Sequence, residues 1–533
     1  MQVPEGYSVI KEGKACCLYP IENQVFYNPV QEFNRDLSIA VITTYEEIWF
    51  KEKLNSVKGE SGSLCLDKSR RGVIILEGLA ATGLRSIRYA KELPYVIKIY
   101  ANDCSKDAVD LIYKNISFNE VDPELILPLQ EDCSVCCLRN RDKRFHVVDL
   151  DPYGTPAPFL DAAVQAVANG GLLMVTATDL RVLCGDLLEV GYSKYGVMPL
   201  KCPQHKELAL RLVLHAIESH ANRYKRHIVP LLSVCAEFYI RLFVRVYYSP
   251  SKVKESASKQ SYVYTCVGCH SCILQPVGVI TPTQKGYLNQ SLCVVTALTH
   301  PIKGKKYQPA FGPTAPEKCE HCNGRFRMGG PVWSACLHDT EFVGALISTI
   351  QRAKPSSFGT YKRMIGQLTV IQEELSDPLY VITSDLAKTL KTPVISILDF
   401  RSALLNAGYN VSSSHCEPAA VKTNAPFDYI WDIMRLWAIS NKAHGNKKVD
   451  TPGRTILQKE PTHTVNFDTH KDANPKSREE GLTRYQMNPR KNWGPRARAG
   501  KKLTSDEEVK KRKIRKDKND KRACRAEESH NSA

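Results

Sequence analysis

Asp151-Pro152-Tyr153-Gly154 directly follows the apolar run Phe145-His146-Val147-Val148-Asp149-Leu150, which reads as a buried strand. A carboxylate, a proline and an aromatic ring at the end of a strand suit one reaction in particular, methylation of the exocyclic amine of a planar base. Asp151 would accept a hydrogen bond from the amine and take its proton. Tyr153 would stack on the base, and Pro152 would fix the turn between them. Alone, the tetrapeptide fits an ordinary Asp-Pro-x-Gly turn better, so its weight comes from what surrounds it.

Upstream, Gly72-Val73-Ile74-Ile75-Leu76-Glu77 is a short apolar run ending in an acid, followed by the loop Gly78-Leu79-Ala80-Ala81-Thr82-Gly83. The loop lacks the G-x-G-x-x-G fingerprint of dinucleotide sites. A Gly-x-x-x-x-Gly turn suits S-adenosylmethionine, which has no pyrophosphate and needs only close backbone approach. Asp103 ends a second predicted strand and is placed to accept from both ribose hydroxyls. Asp132 ends a third, where it would accept from the adenine amino group. Arg85 falls in the first turn of the following helix, against the macrodipole, and therefore needs a specific partner; the methionine carboxylate is suited to it.

Two C-x-x-C pairs, Cys266/Cys269 and Cys319/Cys322, have residues 270–318 between them. Each pair spans one edge of a tetrahedral zinc site, and together they would complete a four-thiolate structural shell with the intervening segment looped out. Cys272, His270 and His321 are near enough in sequence to substitute as ligands. A third pair, Cys133 and Cys136, falls in the predicted cofactor region and reads as core or loop.

The elements that must position these residues alternate. Strands, helices and acid-ended strands follow one another to about Tyr248, the pattern of an α/β domain with a parallel sheet and helices on both faces. Ligands of such sheets bind at the strands' C-terminal ends, where Glu77, Asp103, Asp132 and Asp151 all fall. Residues 1–250 are expected to form this Rossmann-like domain, with Leu231 to Tyr247 completing the sheet as one or two strands and Ser249 to Ser261 as a polar linker. Residues 251–440 are expected to form a second α/β domain carrying the zinc knuckles. Its last third reads as two helices (384–390 and 394–407) and a strand, an order resembling a winged helix. From Asn441 to residue 533 composition points to a disordered basic tail, with Lys510-Lys511-Arg512-Lys513-Ile514-Arg515-Lys516 suited to nuclear import or to clamping a phosphate backbone.

The chain has 533 residues, a formal net charge of +17 and 43% hydrophobic content. It is too long for one core, and its positive excess favours a polyanionic partner, nucleic acid first. Nineteen cysteines without a secretory signal argue for a reducing compartment. No apolar run reaches the roughly 20 residues a bilayer requires, so no membrane partner is expected.

Together these residues resemble the Trm1 family of tRNA (guanine-26) dimethyltransferases. The resemblance runs from about Gly6 to Ala438. Its most specific pieces are Val25-Phe26-Tyr27-Asn28-Pro29-Val30-Gln31-Glu32-Phe33-Asn34-Arg35-Asp36, Glu77 to Arg88, Val148 to Pro156 and Pro418-Ala419-Ala420-Val421-Lys422-Thr423. It implies a class I S-adenosylmethionine-dependent methyltransferase that dimethylates the 2-amino group of guanine 26 in tRNA. Arg35 and Arg85 would hold S-adenosylmethionine with Asp103, Asp132 and Cys133, the last standing where the family often has alanine. Asp151 would be the catalytic carboxylate, Phe26 and Tyr153 would sandwich the guanine, and Cys266, Cys269, Cys319 and Cys322 would ligate Zn2+. The expected protein is a nuclear monomer acting on tRNA, with cytoplasm and mitochondria as further compartments. The rival expectations are an amino-methyltransferase on another nucleic-acid base and a non-catalytic RNA-binding scaffold.

Overall fold

The computed structural model describes residues 3–21, 27–58, 71–282, 305–442 and 451–486. An antiparallel hairpin of β1 (Tyr7–Glu12) and β2 (Ala15–Pro20) precedes the long helix α1 (Glu32–Lys58). The alternating segment then runs β3 (Val73–Glu77), α2 (Leu84–Glu92), β4 (Val96–Asp103), α3 (Lys106–Phe118), β5 (Ile126–Gln130), α4 (Cys133–Arg139), β6 (Phe145–Leu150), α5 (Leu160–Ala166) and β7 (Val167–Ala177). Helices α6 (Leu180–Leu183), α7 (Leu188–Tyr195) and α8 (His205–Asn222) lead to β8 (Arg226–Ala236) and β9 (Tyr239–Tyr248).

Strands β3 to β9 form one seven-stranded sheet in the order β5-β4-β3-β6-β7-β9-β8. Pairing is parallel from β5 through β7 and antiparallel at β9. The expected parallel sheet is therefore mixed, and Leu231 to Tyr247 supplies parts of two strands. The chain builds outward from β3 to β5, then returns to add β6 on the other side. That reversal leaves a crevice outside the carboxyl ends of β3 and β6, the place where open α/β sheets bind ligands.

Alternation along the strands explains how both faces are filled. In β6, Val148 and Leu150 pack on one side with α5 and α8, while Val147 packs on the other with α1 and α2. Each such buried side chain contributes about 1.5–3 kcal/mol. The same core continues beyond the sheet, taking in Val263, Val332, Trp333 and Tyr380.

Residues 249–261 do not form an extended linker. They make the short helix α9 (Pro250–Val253) and a 3-10 turn that enters β10. Strands β10 (Gln260–Cys266), β11 (Cys272–Pro276), β12 (Gly278–Pro282), β13 (Lys305–Pro309) and β14 (Phe326–Trp333) make two small antiparallel sheets. Helices α10 (Thr340–Arg352) and α11 (Tyr361–Glu373) pack on the side of α1. There follow β15 (Val381–Ile382), α12 (Thr383–Leu390), α13 (Ile397–Asn406), β16 (Val411–Ser413), β17 (Ala420–Thr423) and α14 (Phe427–Ser440). The strands of this segment pair in the order β15-β17-β16.

Disorder from Asn441 onward is corrected for residues 451–486. Helices α15 (Pro452–Leu457) and α16 (Lys476–Glu479) lie in this stretch, and Ile456, Ala473 and Ser477 are buried. Their anchoring is polar as well as apolar: the Arg401 guanidinium donates to the Ala473 carbonyl at 2.6 Å, and Ser477 Oγ bonds Glu373 at 2.7 Å. The basic run 510–516 lies outside the described residues. Among the described residues no helix is long and apolar enough to cross a membrane.

Candidate active site

β3 and β6 pair so that Glu77 stands beside Asp149. Alternate residues of a strand share a face, and Asp151, just past the end of β6, continues the side on which Asp149 lies. Gly83, with φ +75°, opens α2, and the first turn of that helix aims Arg85 at all three acids. The Arg85 guanidinium binds the Asp151 carboxylate directly and lies 3.7 Å from Glu77 and 3.6 Å from Asp149. Arg85 therefore finds protein partners in a fully buried setting, as its position against the helix dipole requires.

The charges in this cluster nearly balance. Arg241 reaches Asp149 at 2.8 Å, and Tyr89 donates to the same carboxylate at 2.7 Å. Burial works to raise the Asp149 carboxyl, but Arg241, Arg85 and the Tyr89 hydroxyl hold it below the usual carboxylate range. Burial pushes the Glu77 carboxyl up to about 8, against the pull of Arg85 and the Ser86 hydroxyl. With Glu77 protonated, two guanidinium groups face the two remaining carboxylates, which is the arrangement a low-dielectric interior favours.

The turn bearing Asp151, Pro152 and Tyr153 is clamped to the end of β7. Gly154 N–H donates to Thr178 Oγ1 at 2.9 Å, and Thr178 N–H donates to the Gly154 carbonyl at 2.8 Å. Gly154 has φ +79°, a left-handed conformation that glycine adopts without strain. Tyr153 is left with 47% of its surface exposed, so its ring is accessible to a ligand.

Arg35 enters from α1. Its guanidinium donates to Glu12 in a two-pronged pair, with Nε to Oε1 at 2.6 Å, and lies 5.3 Å from the Tyr27 ring centre. Glu12 also binds Arg88 at 2.8 Å, and Arg88 binds Asp36 at 2.7 Å. This buried network ties the β1–β2 hairpin, α1 and α2 into one wall. Asp103, at the end of β4, accepts from Ala81 N–H and Ser105 N–H, both at 2.9 Å.

Arg35, Arg85, Asp103, Asp151 and Tyr153 converge on one cleft of about 170 Å³ at the switch point of the sheet. Tyr19, Tyr27, Thr178 and Phe238 also line it. Phe238 escaped the reading of the sequence; it sits in the two-residue β8–β9 turn, which carries none of the glycine or asparagine that signals such turns. Asp132 and Cys133 do not line the cleft. The Asp132 carboxylate caps α4, accepting from Ser134 N–H at 2.8 Å and Val135 N–H at 3.2 Å. Cys133 is buried behind the loop, beside Gly78. Phe26 lies outside the described residues.

The cleft has the features an adenosyl sulfonium ligand needs: a small-residue loop, a strand-end carboxylate at Asp103 and arginine side chains. Gly78 has no room for a Cβ, which would sit 2.7 Å from Cys133 Sγ, so the loop lies flat against the sheet.

The two C-x-x-C pairs meet. Cys266, Cys269, Cys319 and Cys322 are buried with their sulfurs within 4.8 Å of one another, and the cross-pair separations are 3.3 and 3.6 Å. A tetrahedral zinc with Zn–S of about 2.3 Å has S···S edges of about 3.8 Å, so the four sulfurs are suited to such an ion. The two knuckles share one design: His270 and Asn323, each directly after the second cysteine, both have φ near +60° (61° and 60°). His321 turns away to Asp428 at 3.4 Å, and Cys272 bonds Thr265 at 3.6 Å. The third pair, Cys133 and Cys136, is buried in α4.

The mixed seven-stranded sheet and the acid-lined cleft at its switch point define an α/β protein of Rossmann-like methyltransferase type. Residues 6–435 match the family model described as N2,N2-dimethylguanosine tRNA methyltransferase. The tRNA (guanine(26)-N(2))-dimethyltransferase of Mus musculus is 43% identical over 545 residues, spanning 95% of this chain and 79% of the relative. That of Drosophila melanogaster is 44% identical over 504 residues, spanning 89% and 84%. Among solved structures, Trm1 from Pyrococcus horikoshii in complex with S-adenosyl-L-methionine superposes with a TM-score of 0.62 at 26% identity, covering 79% of this chain and 98% of that one. The chain belongs to the N2,N2-dimethylguanosine tRNA methyltransferase family.

Proposed function

We propose that this chain is an S-adenosylmethionine-dependent tRNA (guanine(26)-N(2))-dimethyltransferase, which places two methyl groups on the exocyclic 2-amino group of guanine 26. The observation that carries this reading is the convergence of Arg35, Arg85, Asp103, Asp151 and Tyr153 on one cleft at the carboxyl edge of the sheet. S-adenosylmethionine, when bound, supplies the methyl group from an activated sulfonium.

The chain's own residues have separate tasks. Asp103 would take the ribose hydroxyls, and Arg35 and Arg85 would face the methionine end. Asp132, at the cap of α4, would accept from the adenine amino group, with the adjacent Cys133 buried behind the loop against Gly78. A guanine amine is a weak nucleophile because its lone pair is conjugated with the ring. Asp151 would accept a hydrogen bond from it, favour pyramidal nitrogen and take the proton as the new bond forms. Arg85 keeps Asp151 oriented toward the cleft, and the Gly154–Thr178 clamp keeps the turn rigid. The base must leave its stack to reach this depth; stacking on Tyr153, and on Phe26 at the other face, would offset that by about 1–3 kcal/mol per base.

The four-cysteine cluster is proposed as a structural Zn2+ site. We further propose a monomer in the nucleus, with the run 510–516 as the import signal. Incubating the full-length protein with unmodified tRNA and methyl-labelled S-adenosylmethionine tests the main reading. Nucleoside analysis should find N2-methylguanosine converting to N2,N2-dimethylguanosine; label on adenine or cytosine, or none, would reject it.

A further inference from the structure

A second concavity, of about 800 Å³, opens beside the cleft. The two share walls. In the turn entering α1, Asn28 and Gln31 line the cleft while Pro29 and Glu32 line the groove. In the β8–β9 turn, Phe238 lines the cleft while its neighbour Glu237 pairs with Arg363 of the groove wall, whose guanidinium lies 4.0 Å from the Phe33 ring centre.

The groove carries what a nucleotide needs. Phe358 and Tyr361 offer half-buried rings, and Lys362 is exposed at its edge. The Glu32 carboxylate has no hydrogen-bond or ion-pair partner among the described residues, and burial, then Asp36 and Glu12, push it up. An acid so placed can accept from the amino or imino edge of a base. Extruding a base separates its neighbours in the strand, and a neighbour that has lost its stacking partner gains from an aromatic platform.

We propose that this groove holds the nucleotide adjacent to the target guanosine, its base against Tyr361 and Phe358 and its phosphate toward Lys362. The proposal rests on the tRNA reading above and extends it to a second base-binding pocket.

The test uses full-length protein and unmodified tRNA transcripts with 2-aminopurine on one or the other side of the target guanosine. Binding should quench the fluorophore on one side. Tyr361→Ala should abolish the quench and weaken tRNA binding about tenfold, one stacked base's worth. Lys362→Glu, which alters only an exposed side chain, should weaken binding most at low salt. Both should keep wild-type calorimetric affinity for S-adenosylmethionine. Unchanged quench and affinity in Lys362→Glu and Tyr361→Ala, with wild type still forming dimethylguanosine, would overturn the proposal. So would a quench that appears only after truncation beyond Gln486, which would assign the groove to the chain's own C-terminal segment. If wild type forms no N2-methylated guanosine, the tRNA reading fails first and the groove proposal falls with it.

Discussion

Gly78 and Cys133 are packed so closely that a Cβ on the glycine would sit 2.7 Å from the cysteine sulfur. Leu150 Cδ2, at 3.1 Å, closes the other side. Gly78→Ala should therefore destabilise the protein by about 1–3 kcal/mol, the cost of overpacking a filled interior. Adding Cys133→Ala should recover about half of that loss, because the sulfur is the nearer obstacle. Denaturant unfolding of the two single variants and the double variant measures the coupling. Strict additivity would show that the loop does not rest on Cys133.

Glu77 gives the site a pH signature. Its carboxyl is raised by burial to about 8, from the 4.5 of an ordinary solvated glutamate. Between those values the folded chain retains a proton that the unfolded chain has released, so stability falls as pH rises through this window. Glu77→Gln, which keeps the shape and removes the titration, should lose less stability from pH 5 to pH 8 than wild type, by about 3 kcal/mol. Parallel pH dependences for the two proteins would show that Glu77 is ionised in the fold.

The strands and their acid ends were legible in the sequence because period, apolar content and small-residue loops agree there. Glu77, Asp103 and Asp151 fell where that pattern placed them. Arg35 was legible only through resemblance: its partner Glu12 sits at the end of a half-exposed hairpin strand, and an isolated acid in such a strand reads as solvated. The packed segment 451–486 was hidden for a related reason. Its composition is polar, and a few small anchors such as Ile456 and Ala473 fix it to the fold without a periodic signal.

The cysteine cluster predicts metal dependence. Purified protein should contain one zinc per chain, and Cys319→Ser or Cys322→Ser should remove it. Each loss should lower the thermal midpoint, because Trp431 and Ile433 of α14 belong to the same buried cluster as the four cysteines. Elemental analysis together with a melting curve checks both. A wild-type melting curve in the metal-free variants would separate the cluster from folding.

The central claim is that Asp151, held by Arg85 at the mouth of the cleft, receives the amine proton. Asp151→Asn preserves size and removes the base. Single-turnover methylation of unmodified tRNA, followed by nucleoside mass spectrometry, should show transfer slowed by about 10²–10⁴-fold, with calorimetric affinity for S-adenosylmethionine retained. Formation of N2,N2-dimethylguanosine by the variant at the wild-type rate would contradict the account.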